Sequence, residues 1–444
     1  MKEEPLLSGI KEPQPNAPSR SRAACVNLIA TTVGTGVLSI PISFSYTGLI
    51  PGLVILCFFA YLSDASMRFI ASASSRMHAS SYAELGERVY GRSGRQLVLW
   101  SLLALLVGAV VQILICIVDL IEMLAVEAVG INISREHVTA IITLGAMPLC
   151  MPKQLHALRF LSSASVLAIL FTVGCIIGLA VQASLTSQNR EHIDPQHVDD
   201  TYAVVLPPSA RWSLAIPIHA LAFCSQFNIN DLQNELPPLE RPMLPAVVHT
   251  AMGIACVIYA LVGTTGYMLL GARTVPNILT AFRDSQLVLA GSAAIALVNV
   301  LKLPLVVLPL RSLLLDLCAI PPLSTPMHVS VTAVGVGLAG CAAAVTHNLA
   351  FAFQMTGCTA GMMVCFCLPG ALYAGAIRIE RQRSGLLLMA ETESPQLLIS
   401  PVGGSTGMES QFCHSLYSRE LAGYGMVTVG AVSGIICLAS LLPR

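Results

Sequence analysis

The chain is 444 residues long, 55% hydrophobic and only 11% charged, and its 24 Lys plus Arg balance 24 Asp plus Glu. A soluble domain carries about a quarter charged residues, so this is an all-α polytopic membrane protein with the lipid bilayer as its solvent, and its balanced charge leaves no basic face for a nucleic-acid partner. The 14 Cys residues lie almost entirely in apolar runs, where they act as small hydrophobes; they form neither a secreted disulfide framework nor a paired metal-ligand spacing, so no metal and no cofactor is expected.

Residues 1–22 carry Lys2, Lys11, Arg20 and Arg22 among several prolines and contain no apolar stretch. They read as a disordered cytosolic tail and not as a signal peptide. Glu3-Glu4-Pro5-Leu6-Leu7 has the form of an acidic dileucine sorting signal, a pattern that also arises by chance. A bilayer core takes roughly 20 apolar residues per helix. Eleven such runs follow, at 23–46, 49–71, 97–126, 138–151, 160–183, 212–228, 246–270, 287–310, 329–345, 351–377 and 421–442. The fourth is short and the sixth is interrupted. The polar stretch after Ala183, with His192, Asp194, Asp199 and Asp200, reads as an exposed cap. The chain thus divides into the 1–22 tail, a 23–378 ten-helix core, a 379–420 cytosolic linker rich in Gly, Ser, Pro and Glu, and a 421–444 eleventh helix with a short C-terminus.

With the N-terminus cytosolic, 17 of the 24 Lys and Arg residues fall on cytosolic segments and six on the opposite side, while Lys302 remains inside a helix. That asymmetry fits the positive-inside rule for eleven spans. The one glycosylation sequon, Asn132-Ile133-Ser134, falls in a non-cytosolic loop, which makes Asn132 a candidate acceptor.

In lipid every backbone N–H and C=O needs a partner, so a helix interruption persists only where it lines a protein cavity. Two interruptions stand out. The first run contains Val33-Gly34-Thr35-Gly36, followed by Pro41; the sixth contains Cys224-Ser225-Gln226-Phe227-Asn228-Ile229-Asn230, after an apolar start with Pro217. They fall five helices apart, at corresponding positions of two five-helix halves. This points to a five-plus-five inverted-repeat transporter with broken helices 1 and 6 and a midplane site. N–H groups of each second half-helix can receive a substrate carboxylate, and freed carbonyls can take an ion or an ammonium group. The structural alternative is that Gly34 and Gly36 merely permit close helix packing.

The residues of both breaks resemble the amino acid/auxin permease family, in the branch of neutral amino acid transporters and their vacuolar relatives. Asn27-Leu28 with Val33-Gly34-Thr35-Gly36-Val37-Leu38-Ser39-Ile40-Pro41 is similar to its first-helix signature, and Ala222-Phe223-Cys224-Ser225-Gln226 followed by Asn234-Glu235-Leu236 keeps its sixth-helix spacing. Pro304, Pro309 and Arg311 match the eighth helix, Leu368-Pro369-Gly370 the tenth-helix ending, and Pro148 to Lys153 with Leu158-Arg159-Phe160 the segment joining helices four and five. The resemblance implies eleven helices, an amino-acid substrate, a carboxylate site at Gly34, Thr35 and Gly36, and a pocket lined from helix six by Phe223, Ser225 and Gln226. Val33 and Asn228, at the edges of the two breaks, are counted with that substrate site.

The chain also departs from the family. Sodium-coupled relatives carry an Asn four residues before the first glycine of the break, where this chain has Ala30. They carry a Thr-Ser pair before the helix-eight proline, where it has Leu301 and Lys302. A nearby ammonium repels a hard cation, so the Lys302 amine is read as filling the vacant ion position and joining helices one and eight. This favours a proton as coupling ion, or uniport, over sodium coupling. The competing reading is that Lys302 snorkels towards headgroups, although it lies nine residues from Arg311, about 13 Å along a helix.

The remaining intramembrane acids are gate or proton-relay candidates. Asp119 and Glu122, one turn apart near the outer end of helix three, either attract cationic substrates, relay protons or line a wet vestibule. Asp231 and Glu235 follow the second break and face the cytosolic gate. His219 either titrates or packs as a hydrogen-bonded histidine. The function expected is secondary active transport of an amino acid by alternating access; an amino-acid-sensing membrane protein with the same pocket is the alternative, and the short termini favour transport. Ser225, Gln226 and Thr35 suit small or polar neutral amino acids, whereas Arg or Lys would need Asp119 or Glu122 nearby. The membrane is the plasma membrane or a vacuolar or lysosomal-type one, and no enzyme motif is visible.

Overall fold

The computed structural model describes residues 20–151, 161–185, 204, 211–282, 285–318, 325–392 and 405–441, and among them there is no strand. Expectations for the dileucine motif, for Lys153, Arg159 and their neighbours, for the polar cap beyond Leu185 and for Arg283 lie outside the described residues. The helices are α1 (Arg20–Thr32), α2 (Ile40–Thr47), α3 (Leu49–Met77), α4 (Tyr82–Val129), α5 (Arg135–Leu149), α6 (Leu161–Leu185), α7 (Trp212–Ala222), α8 (Ile229–Glu235), α9 (Leu244–Leu270), α10 (Gln286–Cys318), α11 (Thr325–Val345), α12 (Leu349–Thr356), α13 (Leu368–Thr392) and α14 (Ser405–Leu441).

Each of the eleven apolar runs meets at least one of these helices. Among the described residues, seven helices are long and apolar enough to cross a membrane, or eight if α1 and α2 count as one span bent by 44°. Two of the runs outside that count are short for local reasons. α5 has only 15 residues, with Arg135 and Glu136 in its first turn and Pro148 near its end, and α7 stops after 11.

Helix ends follow from their sequences. The Ser81 hydroxyl accepts the Glu84 N–H at the start of α4, and the Glu84 carboxylate reaches back to the Ser80 N–H at 2.7 Å, a reciprocal cap. α4 then bends at Gly91, whose φ of 68° lies in the left-handed region that only glycine enters at no steric cost. Between α12 and α13 the helix widens into π turns over Gly357–Gly361 and Met363–Cys367. Leu368-Pro369-Gly370 therefore does not end a helix: α13 starts there and runs on to Thr392. Together with the start of α14 at Ser405, this makes the described parts of the 379–420 segment helical.

Two groups of helices meet at the centre. α1, α2 and α3 pack on α9, and α2 packs on α7; α10 packs on α4, and α11 on α5. A Cβ added at Gly263 or Gly266 of α9 would come within 2.8 Å of Ile40 and of Pro41 respectively, so bare backbone is what lets α2 seat there. Outward faces carry exposed apolar side chains such as Val54, Phe58 and Leu338, the composition of a surface that meets lipid.

Candidate functional site

The first break begins where α1 ends at Thr32. The Gly34 N–H turns back onto the Thr32 carbonyl (2.9 Å), and a short 3-10 turn follows over Thr35–Ser39 before α2. The first hydrogen bond of that turn joins the Val37 N–H to the Gly34 carbonyl at 3.4 Å, so the Thr35 and Gly36 N–H groups have no partner within it. In the second break α7 ends at Ala222, Phe223 to Ser225 are not helical, and a 3-10 turn over Gln226–Asn228 leads into α8. Neither break contains a charged side chain.

A cavity of about 620 Å³ lies against both breaks. Gly34, Thr35 and Gly36 line it from the first break, Cys224, Phe227 and Asn228 from the second, and Ala30 and Lys302 from α1 and α10. Gln112, Asn299 and Phe353 form its buried floor, while exposed Asn27, Ser81, Asp231, Glu235 and Asp316 ring its mouth. The mouth faces the end of the molecule where α1 and α4 begin.

Four residues expected at the site sit behind the wall. Val33, Phe223, Ser225 and Gln226 are all at most 1% exposed and do not line the cavity. They hold the breaks in shape. The Ser225 hydroxyl lies 2.5 Å from the Thr32 hydroxyl and joins the two breaks directly. The Gln226 side chain accepts the Ser225 N–H at 2.9 Å and donates to Ser63 of α3 at 3.1 Å, and Ser63 in turn donates to the Phe223 carbonyl at 3.3 Å.

At the expected ion position, the Lys302 ammonium donates to the Ala30 carbonyl at 3.3 Å. Leu301 is half-buried beside it and does not line the cavity. The amine thus spans α1 and α10 and does not extend towards Arg311, which donates to Thr332 at 3.2 Å.

Asp119 and Glu122 are away from the cavity. Both pair with Arg135 of α5, at 2.6 Å and 3.0 Å. The same end is tied by Ser39 donating to the Pro276 carbonyl and by the Arg211 N–H donating to the Tyr46 carbonyl, each at 2.8 Å. His219 is fully buried, with Nε2 3.0 Å from the Ser43 hydroxyl. Asn132 is exposed in the loop between α4 and α5.

Sequence reasoning passed over several residues. Tyr259 of α9 donates to the carbonyls of both Thr32 and Ala222, at 2.7 Å and 2.8 Å. A lone tyrosine in an apolar run carries no sequence signal. Gln112 and Asn299, by contrast, are polar side chains inside apolar runs and could have been flagged as intramembrane polar groups. So could Asp64, 4% exposed on α3 and paired with Arg68 at 2.5 Å.

Comparison with known proteins sets this geometry in context. The chain is 28% identical over 378 residues to the Amino acid transporter AVT6B of Arabidopsis thaliana, covering 79% of this chain and 81% of that protein. It is 26% identical to the Vacuolar amino acid transporter 5 of Saccharomyces cerevisiae, with 66% of each chain covered. Its fold is shared with the nucleobase-cation-symport-1 family transporter MHP1 in a closed conformation with bromovinylhydantoin bound, at a TM-score of 0.53, 12% identity, and coverage of 96% of this chain and 94% of that one. The family described as "Transmembrane amino acid transporter protein" matches residues 18–391. That match takes in both breaks, α10 and the cavity between them, and the chain belongs to this amino acid/auxin permease family.

Proposed function

We propose that this protein moves a neutral amino acid across a membrane by alternating access, bound at the first break. The observation that carries the reading is the cavity wall made of the Gly34–Gly36 backbone, with Asn228 opposite. N–H groups at the start of a helical turn are a ready anion site. A carboxylate therefore docks on Thr35 and Gly36, and the substrate side chain extends towards Gln112 and Asn299. Cationic substrates are disfavoured because Asp119 and Glu122 are already paired with Arg135. In this reading the chain makes eleven spans, ten of them in two inverted five-helix repeats. The N-terminus is cytosolic, so the cavity mouth faces the cytosol, and a glycosylated Asn132 lies on the other side. A yeast relative named for the vacuole supports a vacuolar-type membrane.

Sodium is not the coupling ion in this proposal. The Lys302 amine on the Ala30 carbonyl supplies a positive charge between α1 and α10, and a second cation there would be repelled. Transport then runs on a proton gradient or as uniport, with Lys302 as the group able to exchange a proton, and with Asp231 and Glu235 at the cytosolic gate. The decisive test is uptake of a labelled amino-acid panel by the chain in liposomes, under separate proton and sodium gradients. Uptake of neutral amino acids, stimulated by protons or by neither ion, is expected. No uptake of any amino acid would overturn the reading, and stimulation by sodium would overturn its coupling part. Lys302→Ser is expected to abolish any proton stimulation and to reduce uptake at least about tenfold, the consequence of leaving a buried acceptor without its charged donor.

A further inference from the structure

The carbonyls that close α1 and α7 belong to Thr32 and Ala222, the last helical residues before each break. Both carbonyls sit at the negative end of a half-helix, and buried carbonyls without a donor are costly. Thr32 and Ala222 line the cavity, and Tyr259, contributed by α9, is fully buried behind that wall. Its hydroxyl lies 2.7 Å from the Thr32 oxygen and 2.8 Å from the Ala222 oxygen. A phenol has one hydrogen to give, so the two acceptors share it. The ring is fixed in turn by the Phe223 side chain, edge-on at 5.1 Å between centroids.

We propose that Tyr259 is the positioning residue of both breaks: one shared hydrogen pins the ends of the two first half-helices to each other and to α9. The physical consequence is mechanical. Separating the breaks by more than hydrogen-bond reach costs one carbonyl its Tyr259 donor, although Thr32 keeps the Gly34 N–H, so the tie favours α1, α7 and α9 moving as a unit against α4 and α10. The Thr32–Ser225 contact, at 2.5 Å, works in the same direction. Tyr259 also keeps both carbonyls away from the ammonium of whatever enters the cavity. It shapes the site without touching the ligand. This inference deepens the transport reading and, in its uptake arm, rests on it.

The test uses the full chain and two readouts. Amide hydrogen exchange by mass spectrometry, on detergent-solubilised protein, follows peptides covering 30–38 and 221–228. Tyr259→Phe, which removes only the hydroxyl, is expected to speed exchange at both breaks together, by about tenfold. Leu261→Ala, on the exposed face of the same helix, is expected to change neither. Uptake of the amino acid selected from the panel is then measured in liposomes. Tyr259→Phe should raise KM about tenfold with Vmax within twofold, and 3-fluorotyrosine at 259, a stronger donor of nearly the same size, should keep both near wild type. Faster exchange at one break alone, a uniform change along the chain, or an unchanged KM would overturn the proposal. If wild-type protein carries no amino acid, the transport reading fails, while the exchange arm still decides the tie. If Tyr259→Phe does not fold, 3-fluorotyrosine decides: slower exchange at both breaks supports the tie, and unchanged exchange refutes it.

Discussion

The two breaks meet the same demand, to interrupt a helix inside lipid, in opposite ways. The first is built of small residues, and its backbone forms part of the cavity wall through Gly34, Thr35 and Gly36. Its donors come from other helices, Tyr259 of α9 and Lys302 of α10. The second is rich in polar side chains, yet Ser225 and Gln226 are 0% exposed and spend their hydrogen bonds on the break itself, on Ser63 and on Thr32. Only its edge residues, Cys224 and Phe227–Asn228, reach the cavity. The lesson is that a polar stretch in an apolar helix marks a break but not a binding surface. A side chain able to satisfy the broken backbone tends to be consumed by it, whereas glycine leaves the backbone available to a ligand.

The sharpest way to break this comparison is to fill the first break. A Cβ at Gly36 would lie 3.5 Å from Ala222 Cα and from Phe353 Cε1. That is ordinary contact, so Gly36→Ala fits. The branches of Gly36→Val do not, and they displace the N–H groups a carboxylate would meet. Gly36→Val is expected to lower uptake by about 100-fold, the cost typical of a misplacement of about 1 Å at a reacting or binding centre, while Gly36→Ala keeps at least a tenth of it. At Gly34 nothing lies within 4 Å of an added Cβ, so Gly34→Ala should fold normally and raise KM by crowding the cavity alone. Equal losses at both positions would mean that the backbone there is not the contact surface.

The second break should answer through stability instead. Gln226→Leu leaves the buried Ser225 N–H without its partner and takes one of two from the Ser63 hydroxyl, which keeps the Phe223 carbonyl. A cost of about 1–3 kcal/mol is expected, read as a lower melting temperature of the purified protein, with the substrate KM changed by less than about threefold. A large KM shift at unchanged stability would place Gln226 in contact with substrate and erase the distinction between the two breaks.

Much of this was legible in the sequence, and the reasons for what was not are physical. Gly34, Gly36 and Pro41 locate the first break because glycine and proline act on the local backbone, whatever the tertiary context. Ala30 and Lys302 were legible as a pair because a charge in an apolar helix has few places to go. Which side of the second break faces the cavity was hidden, since Ser225 and Gln226 can satisfy either a ligand or a neighbour, and only packing against Ser63 decides. Tyr259 and Arg135 were hidden for a related reason: their partners lie on other helices, Thr32 and Ala222 for one, Asp119 and Glu122 for the other. The short fourth run is borne out as the 15-residue α5, whose first turn, with Arg135 and Glu136, starts just before that run.

The smallest effect expected lies at the start of α1, the outlying anchor of the first break. Both the N–H and the hydroxyl of Ser21 donate to one Glu240 oxygen, at 2.7 Å and 2.5 Å, joining α1 to the turn between α8 and α9. Those two bonds, the hydroxyl's first and then the N–H's, hold the Glu240 carboxyl below its ordinary value. A carboxyl depressed in the folded state stabilises it at pH values above the unfolded one, about 4.3, and the contribution fades as pH falls through the lower folded value. Exchange of the α1 amides, corrected for the intrinsic rate, should therefore rise on acidification below about pH 4.3. Glu240→Gln keeps an acceptor oxygen but cannot titrate, so its α1 exchange should show no such rise, and peptides of the second break should be indifferent in both proteins. An identical acid response in wild type and Glu240→Gln would remove the anchor from α1 and leave Tyr259 and Lys302 as the ties that position the first break.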